Sequence, residues 1–137
     1  MRSDVGKKIQ RFFTSPAYGV VGASSNREKY GNKVLRVYLQ HHKKAYPVHP
    51  RETSVEGVAT VPDVASLPDT VKSISIITPP AITEKIVEAA ITKGIENIWM
   101  QPGAESDEAI KQAEQHGINV IAHGPCILAE LGFQETD

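Results

Sequence analysis

With 137 residues, 40% of them hydrophobic and 23% charged, the chain has the size and composition of one ordinary globular domain that can build its own core. A formal net charge of −1 and a single cysteine argue against a nucleic-acid binder, an internal disulfide and a multi-cysteine zinc site. No apolar run approaches a membrane span, and Met1-Arg2-Ser3-Asp4 opens a charged segment rather than a signal peptide. The expectation is a single domain over residues 1–137, in the cytoplasm, with no membrane or nucleic-acid partner.

The elements alternate along the chain. Val5, Ile9, Phe12 and Phe13 recur at helical spacing, which predicts an N-terminal amphipathic helix over residues 3–13, within a segment 1–16 that packs on the domain. Ser15-Pro16 ends it, and a buried strand follows at about 17–23. The next helix is predicted over 32–42, with Val34, Leu35, Tyr38 and Leu39 inward. A short strand at 45–49 stops at Pro50. Residues 58–61 suggest a minor strand, followed by a helical turn after Pro62-Asp63.

Residues 73–78 (Ser-Ile-Ser-Ile-Ile-Thr) read as a buried strand. Pro79-Pro80 stops it and opens a helix to Lys93, with Ile82, Ile86, Val87 and Ile91 inward and Gly94 as the stop. A strand at 97–100 leads to a helix capped by Ser106, with Asp107 and Glu108 in its first turn. That helix ends at Gly117, the last strand is 120–122, and Gly124-Pro125-Cys126 leads into a final turn. Such alternation predicts an α/β fold: a Rossmann-like, doubly wound, mainly parallel sheet of about five strands with helices on both faces.

In such sheets ligands bind beyond the carboxyl ends of the strands. The first of these ends carries most of the chemistry. Gly22, Ala23, Ser24, Ser25, Arg27, Lys29, Tyr30, Gly31 and Lys33 join a strand to a helix, with two hydroxyls and three cations among them. This is the pattern of a phosphate cradle, without the G-x-G-x-x-G spacing of an ordinary NAD site. Residues 27–51 hold seven Lys or Arg against one acid, while residues 52–137 hold four Lys against fourteen acids. A basic patch in an acidic protein suits a polyphosphate ligand, although it also reads as a solvated helix face.

The second strand ends in His49-Pro50-Arg51, where NAD would want Asp or Glu for its ribose. A guanidinium there suits an extra ribose phosphate, either the 2′-phosphate of NADP or the 3′-phosphate of coenzyme A. Glu52, one residue further on, is a displaced ribose partner that keeps NAD open.

In this combination the chain resembles the small stand-alone CoA-binding proteins, whose domain is similar to the nucleotide-binding domain of the succinyl-CoA synthetase alpha subunit. The matching segments are Val20-Val21-Gly22-Ala23-Ser24, Tyr46-Pro47-Val48-His49-Pro50, Ile77-Thr78-Pro79-Pro80, Ile98-Trp99-Met100-Gln101-Pro102-Gly103 and Gly124-Pro125-Cys126. They span about residues 17–131 in the family's order. The resemblance implies a coenzyme A or acyl-CoA ligand. Gly22, Ser24 and Ser25 would hold its pyrophosphate with Lys29 or Lys33 nearby, and Arg51 would meet the 3′-phosphate. Thr78, Pro79 and Pro80 would wall the adenosine, and Met100, Gln101, Pro102 and Gly103 would line the pantetheine path.

Other residues have structural readings. Trp99 sits on a buried strand and reads as core. His41 and His42 suit a helix end and form no metal-ligand set. Cys126 reads as a small buried hydrophobe, yet it counts with the site because a thiol beside coenzyme A can enter a mixed disulfide. Cys126-His123-Glu130 shows no oxyanion arrangement, and no acid, base or nucleophile stands out. The chain ends at Asp137 without room for a ligase domain, so the expected function is non-catalytic: a regulatory or CoA-supplying binder, with a partner enzyme or a second copy. The alternatives are an NADP- or NAD-binding enzyme or redox sensor, and an interaction module that has lost its ligand.

Overall fold

The computed structural model describes residues 4–135, so the expected helix start at Ser3 and the two ends of the expected 1–137 domain lie outside the described residues. In chain order the elements are α1 (Asp4–Phe12), β1 (Ala17–Val21), α2 (Tyr30–Gln40), β2 (Ala45–Val48), β3 (Ser54–Val55) and β4 (Val58–Ala59). After a 3-10 turn (Val64–Ser66) come β5 (Val71–Ile76), α3 (Pro80–Lys93), β6 (Asn97–Met100), α4 (Asp107–Gln115), β7 (Asn119–Ile121) and α5 (Ile127–Leu131).

Five strands form one parallel sheet in the order β2-β1-β5-β6-β7. This is the doubly wound, Rossmann-like arrangement that the alternation predicts. The strands are covered on both faces, which is why they read as near-continuous apolar runs. One face packs Val21, Ile74, Ile76, Ile98 and Met100 against Val87 and Ala90 of α3 and Ala109 and Ala113 of α4. The other packs Tyr18, Val20, Trp99 and Ile121 against Phe12 of α1, Val34, Leu35 and Tyr38 of α2 and Ile127 of α5.

The alternation Ser-Ile-Ser-Ile in β5 follows from these two faces. Ile74 and Ile76 fill the aliphatic side, while Ser73 and Ser75 are small enough to admit aromatics on the other. The Ser75 and Tyr38 hydroxyls lie 2.7 Å apart in a buried hydrogen bond, and Tyr38 stacks on Tyr18 with ring centroids 4.9 Å apart. Burial pushes the Tyr18 hydroxyl up to about 12 and the Tyr38 hydroxyl upward as well, so both rings stay neutral at physiological pH.

At the lower end of the sheet, Ser73 donates to the Phe12 carbonyl (2.7 Å) and Asn97 donates to Ser73 (3.1 Å). Asn119 donates to Asn97 and to the Lys8 carbonyl, both at 3.0 Å. This ladder docks α1 on three strands and satisfies the buried polar groups it contains.

Two expectations need correcting. The region after Arg51 holds a β-hairpin, β3 and β4, rather than one strand at 58–61. Its turn is made by Glu56 (φ 50°) and Gly57 (φ 77°), the paired left-handed conformations of a tight hairpin turn. Ile82 is 42% exposed rather than inward, because it lines an open cleft instead of packing in the core. Among the described residues, no helix is long and apolar enough to cross a membrane.

Candidate functional site

The strand order reverses between β1 and β5, and the crevice expected there is present. It is a cleft of about 730 Å³, within the usual range for small-molecule sites, lined from Gly22 to Ser24, from Lys29 to Gly31, and by His49, Pro50, Thr78 and Pro79. Ile82 and Ile86 of α3 add an apolar wall. Two smaller cavities of about 310 and 300 Å³ open beside it; Ile77 lines all three.

Close backbone approach builds the cradle. Gly22 adopts φ 97°, and a Cβ on it would collide with the Ile77 carbonyl oxygen. A Cβ on Gly31 would collide with the Gly22 carbonyl oxygen. Glycine at both positions therefore lets β1, the strand beside it and the start of α2 meet in one plane. Lys29 stands at the N-cap without a side-chain cap, and with Tyr30 and Gly31 it puts the start of α2 in the cleft lining, where a helix N-terminus favours an anion.

The loop between them is held by its own side chains and by the hairpin. Asn26 N–H donates to Ser24 Oγ (3.1 Å), and Glu28 N–H donates to Asn26 Oδ1 (3.0 Å). Asn32 donates from Nδ2 to the Ser24 carbonyl (2.9 Å) and to Glu56 Oε2 (3.0 Å). Arg36, only 4% exposed, donates to Asn32 Oδ1 (2.6 Å), to the Arg27 carbonyl (3.0 Å) and to Glu135 (3.1 Å), and lies over the Phe133 ring. A buried guanidinium with this set of partners ties the cradle loop to α2 and to the C-terminal segment.

The end of β2 turns sharply. His49 Nδ1 accepts from the amides of Arg51 (3.0 Å) and Glu52 (2.9 Å), so Nδ1 carries no proton. That turn brings the Glu52 carboxylate to the loop after β1, where it accepts from Ser25 N–H at 3.2 Å. The Ser25 hydrogen bonds, with His49 Nε2 3.5 Å away, hold the Glu52 carboxyl below the usual carboxylate range.

The residues expected from the sequence separate into groups. Gly22, Ala23, Ser24, Lys29, Tyr30, Gly31, His49, Pro50, Thr78 and Pro79 line the main cleft together. Ser25 and Pro80 fall just outside the lining: the Ser25 amide is given to Glu52, and Pro80 opens α3 after Pro79. Tyr30 also lines one neighbouring cavity with Gln101, Pro102 and Cys126; Pro102 and Gly103 line the other. Gln101 donates to Cys126 Sγ (3.3 Å) and accepts from Ile127 N–H (2.9 Å).

Four residues stand apart. Met100 is fully buried in the aliphatic core beneath these cavities. Arg27 and Lys33 turn away, to Glu56 at 3.5 Å and to Glu135 at 3.9 Å. Arg51 is exposed at the rim and outside the cleft lining. Asn32, Arg36 and Glu56 escaped the sequence reading. The available signal was Asn32 and Arg36 at i and i+4, a polar pair on the otherwise apolar face of α2.

A family model described as a CoA binding domain matches residues 17–132. The chain is 24% identical over 136 residues to the acetate–CoA ligase (ADP-forming) I of Archaeoglobus fulgidus, a match covering 92% of this chain and 20% of that protein. It is 25% identical over 124 residues to acetate–CoA ligase (ADP-forming) II subunit alpha of Pyrococcus furiosus, covering 82% of this chain and 27% of that one. The chain thus spans 20% and 27% of the length of these curated relatives. Among solved structures, a conserved hypothetical protein from Pyrococcus furiosus superposes with a TM-score of 0.79 at 34% identity, covering 83% of this chain and 97% of that one.

Proposed function

The chain belongs to the CoA binding domain family, and from that premise we propose that its cleft binds coenzyme A or an acyl-CoA in a non-catalytic role, regulating or supplying another protein. The observation that carries this reading is the glycine-built cradle opening into an apolar cleft at the strand-order switch. The pyrophosphate lies against the amides of residues 22–25 and the start of α2, with Lys29 beside it. The adenosine packs between Pro50 on one side and Pro79 and Ile82 on the other. The pantetheine arm runs over Ile77 toward Gln101, Pro102, Gly103 and Cys126. Arg51, at the rim, meets the 3′-phosphate.

The relatives named as acetate–CoA ligases support a partnership with a CoA-using enzyme, for which residues 1–137 act as one CoA-holding unit in the cytoplasm. A second copy of the chain is the other partner this reading admits.

One observation favours a second reading, a nicotinamide dinucleotide. The Glu52 carboxylate reaches the cradle from the end of β2, the direction from which ribose hydroxyls are usually held. Calorimetric titration of ligand-stripped protein with coenzyme A, dephospho-CoA, NAD and NADP decides between them. Micromolar binding of coenzyme A with silence toward both dinucleotides supports the first reading; binding of NAD or NADP alone overturns it.

Arg51→Ala tests the rim. It is expected to weaken coenzyme A by roughly 1.5–3 kcal/mol, the worth of a charged hydrogen bond, while leaving dephospho-CoA nearly unchanged. Equal losses for both ligands remove Arg51 from the 3′-phosphate.

A further inference from the structure

We propose that Glu52 is an internal anion that occupies the phosphate position at Ser25 and sets how tightly the cleft takes phosphate-bearing ligands. The inference rests on the coenzyme A reading and adds to it a built-in competitor for the same amide.

The geometry separates a fixed backbone from a displaceable side chain. The Glu52 amide is held by His49 Nδ1 (2.9 Å), and its carbonyl accepts from Thr60 Oγ1 (2.5 Å). Thr60 N–H donates in turn to the Thr53 carbonyl (3.1 Å), so the turn leans on the strand leading out of the hairpin. The carboxylate itself lies beside the cradle loop, one residue past the cleft-lining Ser24, with 30% of its side chain exposed and the Ser25 amide at 3.2 Å. It can therefore swing into solvent without disturbing the turn that carries it.

A phosphate oxygen taking the Ser25 N–H needs the position that Glu52 Oε2 holds. Two anions at one amide repel, and one donor proton cannot serve both well. Ligand entry is an exchange: the carboxylate leaves, is rehydrated, and the phosphate replaces it. His49 sharpens this exchange. Its Nδ1 accepts two amides, which puts the neutral ring's proton on Nε2, 3.5 Å from the same carboxylate. Glu52 thus has two partners to give up, and removing its charge favours the incoming phosphate.

The test compares the full chain with E52Q, which removes the charge and keeps an acceptor, and E52A, which removes both. Each is titrated calorimetrically with coenzyme A and with inorganic pyrophosphate, after thermal melts establish that all three fold. Both variants are expected to bind the two probes about threefold to tenfold more tightly than the parent. If the parent binds coenzyme A and neither variant is tighter, the competitor is overturned while the coenzyme A reading stands. Weaker binding by both variants also overturns it and makes Glu52 a hydroxyl partner of the ligand. If coenzyme A is silent but pyrophosphate tightens in the variants, Glu52 is the competitor and the coenzyme A reading falls. Silence of every protein toward both probes removes both.

Discussion

At the lower end of the sheet, Ser73, Asn97 and Asn119 spend their hydrogen bonds on one another and on the carbonyls of Phe12 and Lys8. At the upper end, Ser24 and Lys29 line a cleft, and beside them the Ser25 amide bonds to the Glu52 carboxylate, which solvent reaches. Both ends are polar. The lower one is buried and closed, so its groups act on stability; the upper one is open to solvent, so its groups are free to exchange partners. The contrast separates residues whose loss unfolds the protein from residues whose loss changes what it binds.

The sharpest way to break this division is at a residue that belongs to both. Gly22→Ala forces a side chain into the Ile77 carbonyl at φ 97°. Overpacking of about 1–3 kcal/mol adds to a left-handed backbone cost of about 1–2 kcal/mol. The variant is expected to lose ligand binding and to melt well below the parent, as read by thermal denaturation and calorimetry. A variant that melts normally and still binds would mean the cradle is not built by this close approach.

Asn97→Ala addresses the lower end alone. It removes one of the two acceptors of the Asn119 amide and one partner of Ser73, both buried, at a cost of about 1–3 kcal/mol. Ligand affinity measured well below the melting temperature is expected to stay within about twofold of the parent, because an uncoupled distant site adds little. A large loss of affinity would show that the two ends are coupled.

The smallest effect is expected at a surface pair, where solvent screens the charges. A hydrogen bond from Lys93 (3.0 Å) holds the Asp69 carboxyl below its usual range. A depressed folded-state pKa stabilises the protein above the ordinary carboxylate value of about 4 and is lost as the pH falls through the depressed one. Asp69→Asn is therefore expected to lower the melting temperature slightly at neutral pH, with the difference from the parent vanishing on acidification. A difference that persists or grows in acid would assign the effect to something other than this pair.

The division also explains which parts were legible in the sequence. The alternation of apolar runs and turn residues carries local information, so the five sheet strands and the four longer helices are readable from it. That Gly22, Gly31, Thr78 and Pro79 line a cleft is readable too, since the loops that border it follow directly from where a strand stops. The hairpin was missed because its turn is Glu56-Gly57 rather than an Asn-Gly or Asp-Gly pair, and its strands are two residues each. Ile82 follows helical periodicity, but the pattern does not tell a core position from the wall of an open cleft.

Fold class, family and the strand ends that face a ligand are thus set by local patterns, because strand, turn and helix signals act over a few residues. What only the tertiary structure decides is which side chain meets which cradle atom. Glu52 reaches Ser25 across 27 residues, Glu56 reaches Asn32 across 24, and Glu135 reaches Arg36 across 99. No periodicity encodes such pairings; they arise when the parallel sheet brings β1, the end of β2 and the C-terminal segment around the start of α2. The order of strands, rather than the order of residues, puts an acid on an amide that the sequence alone assigns to phosphate.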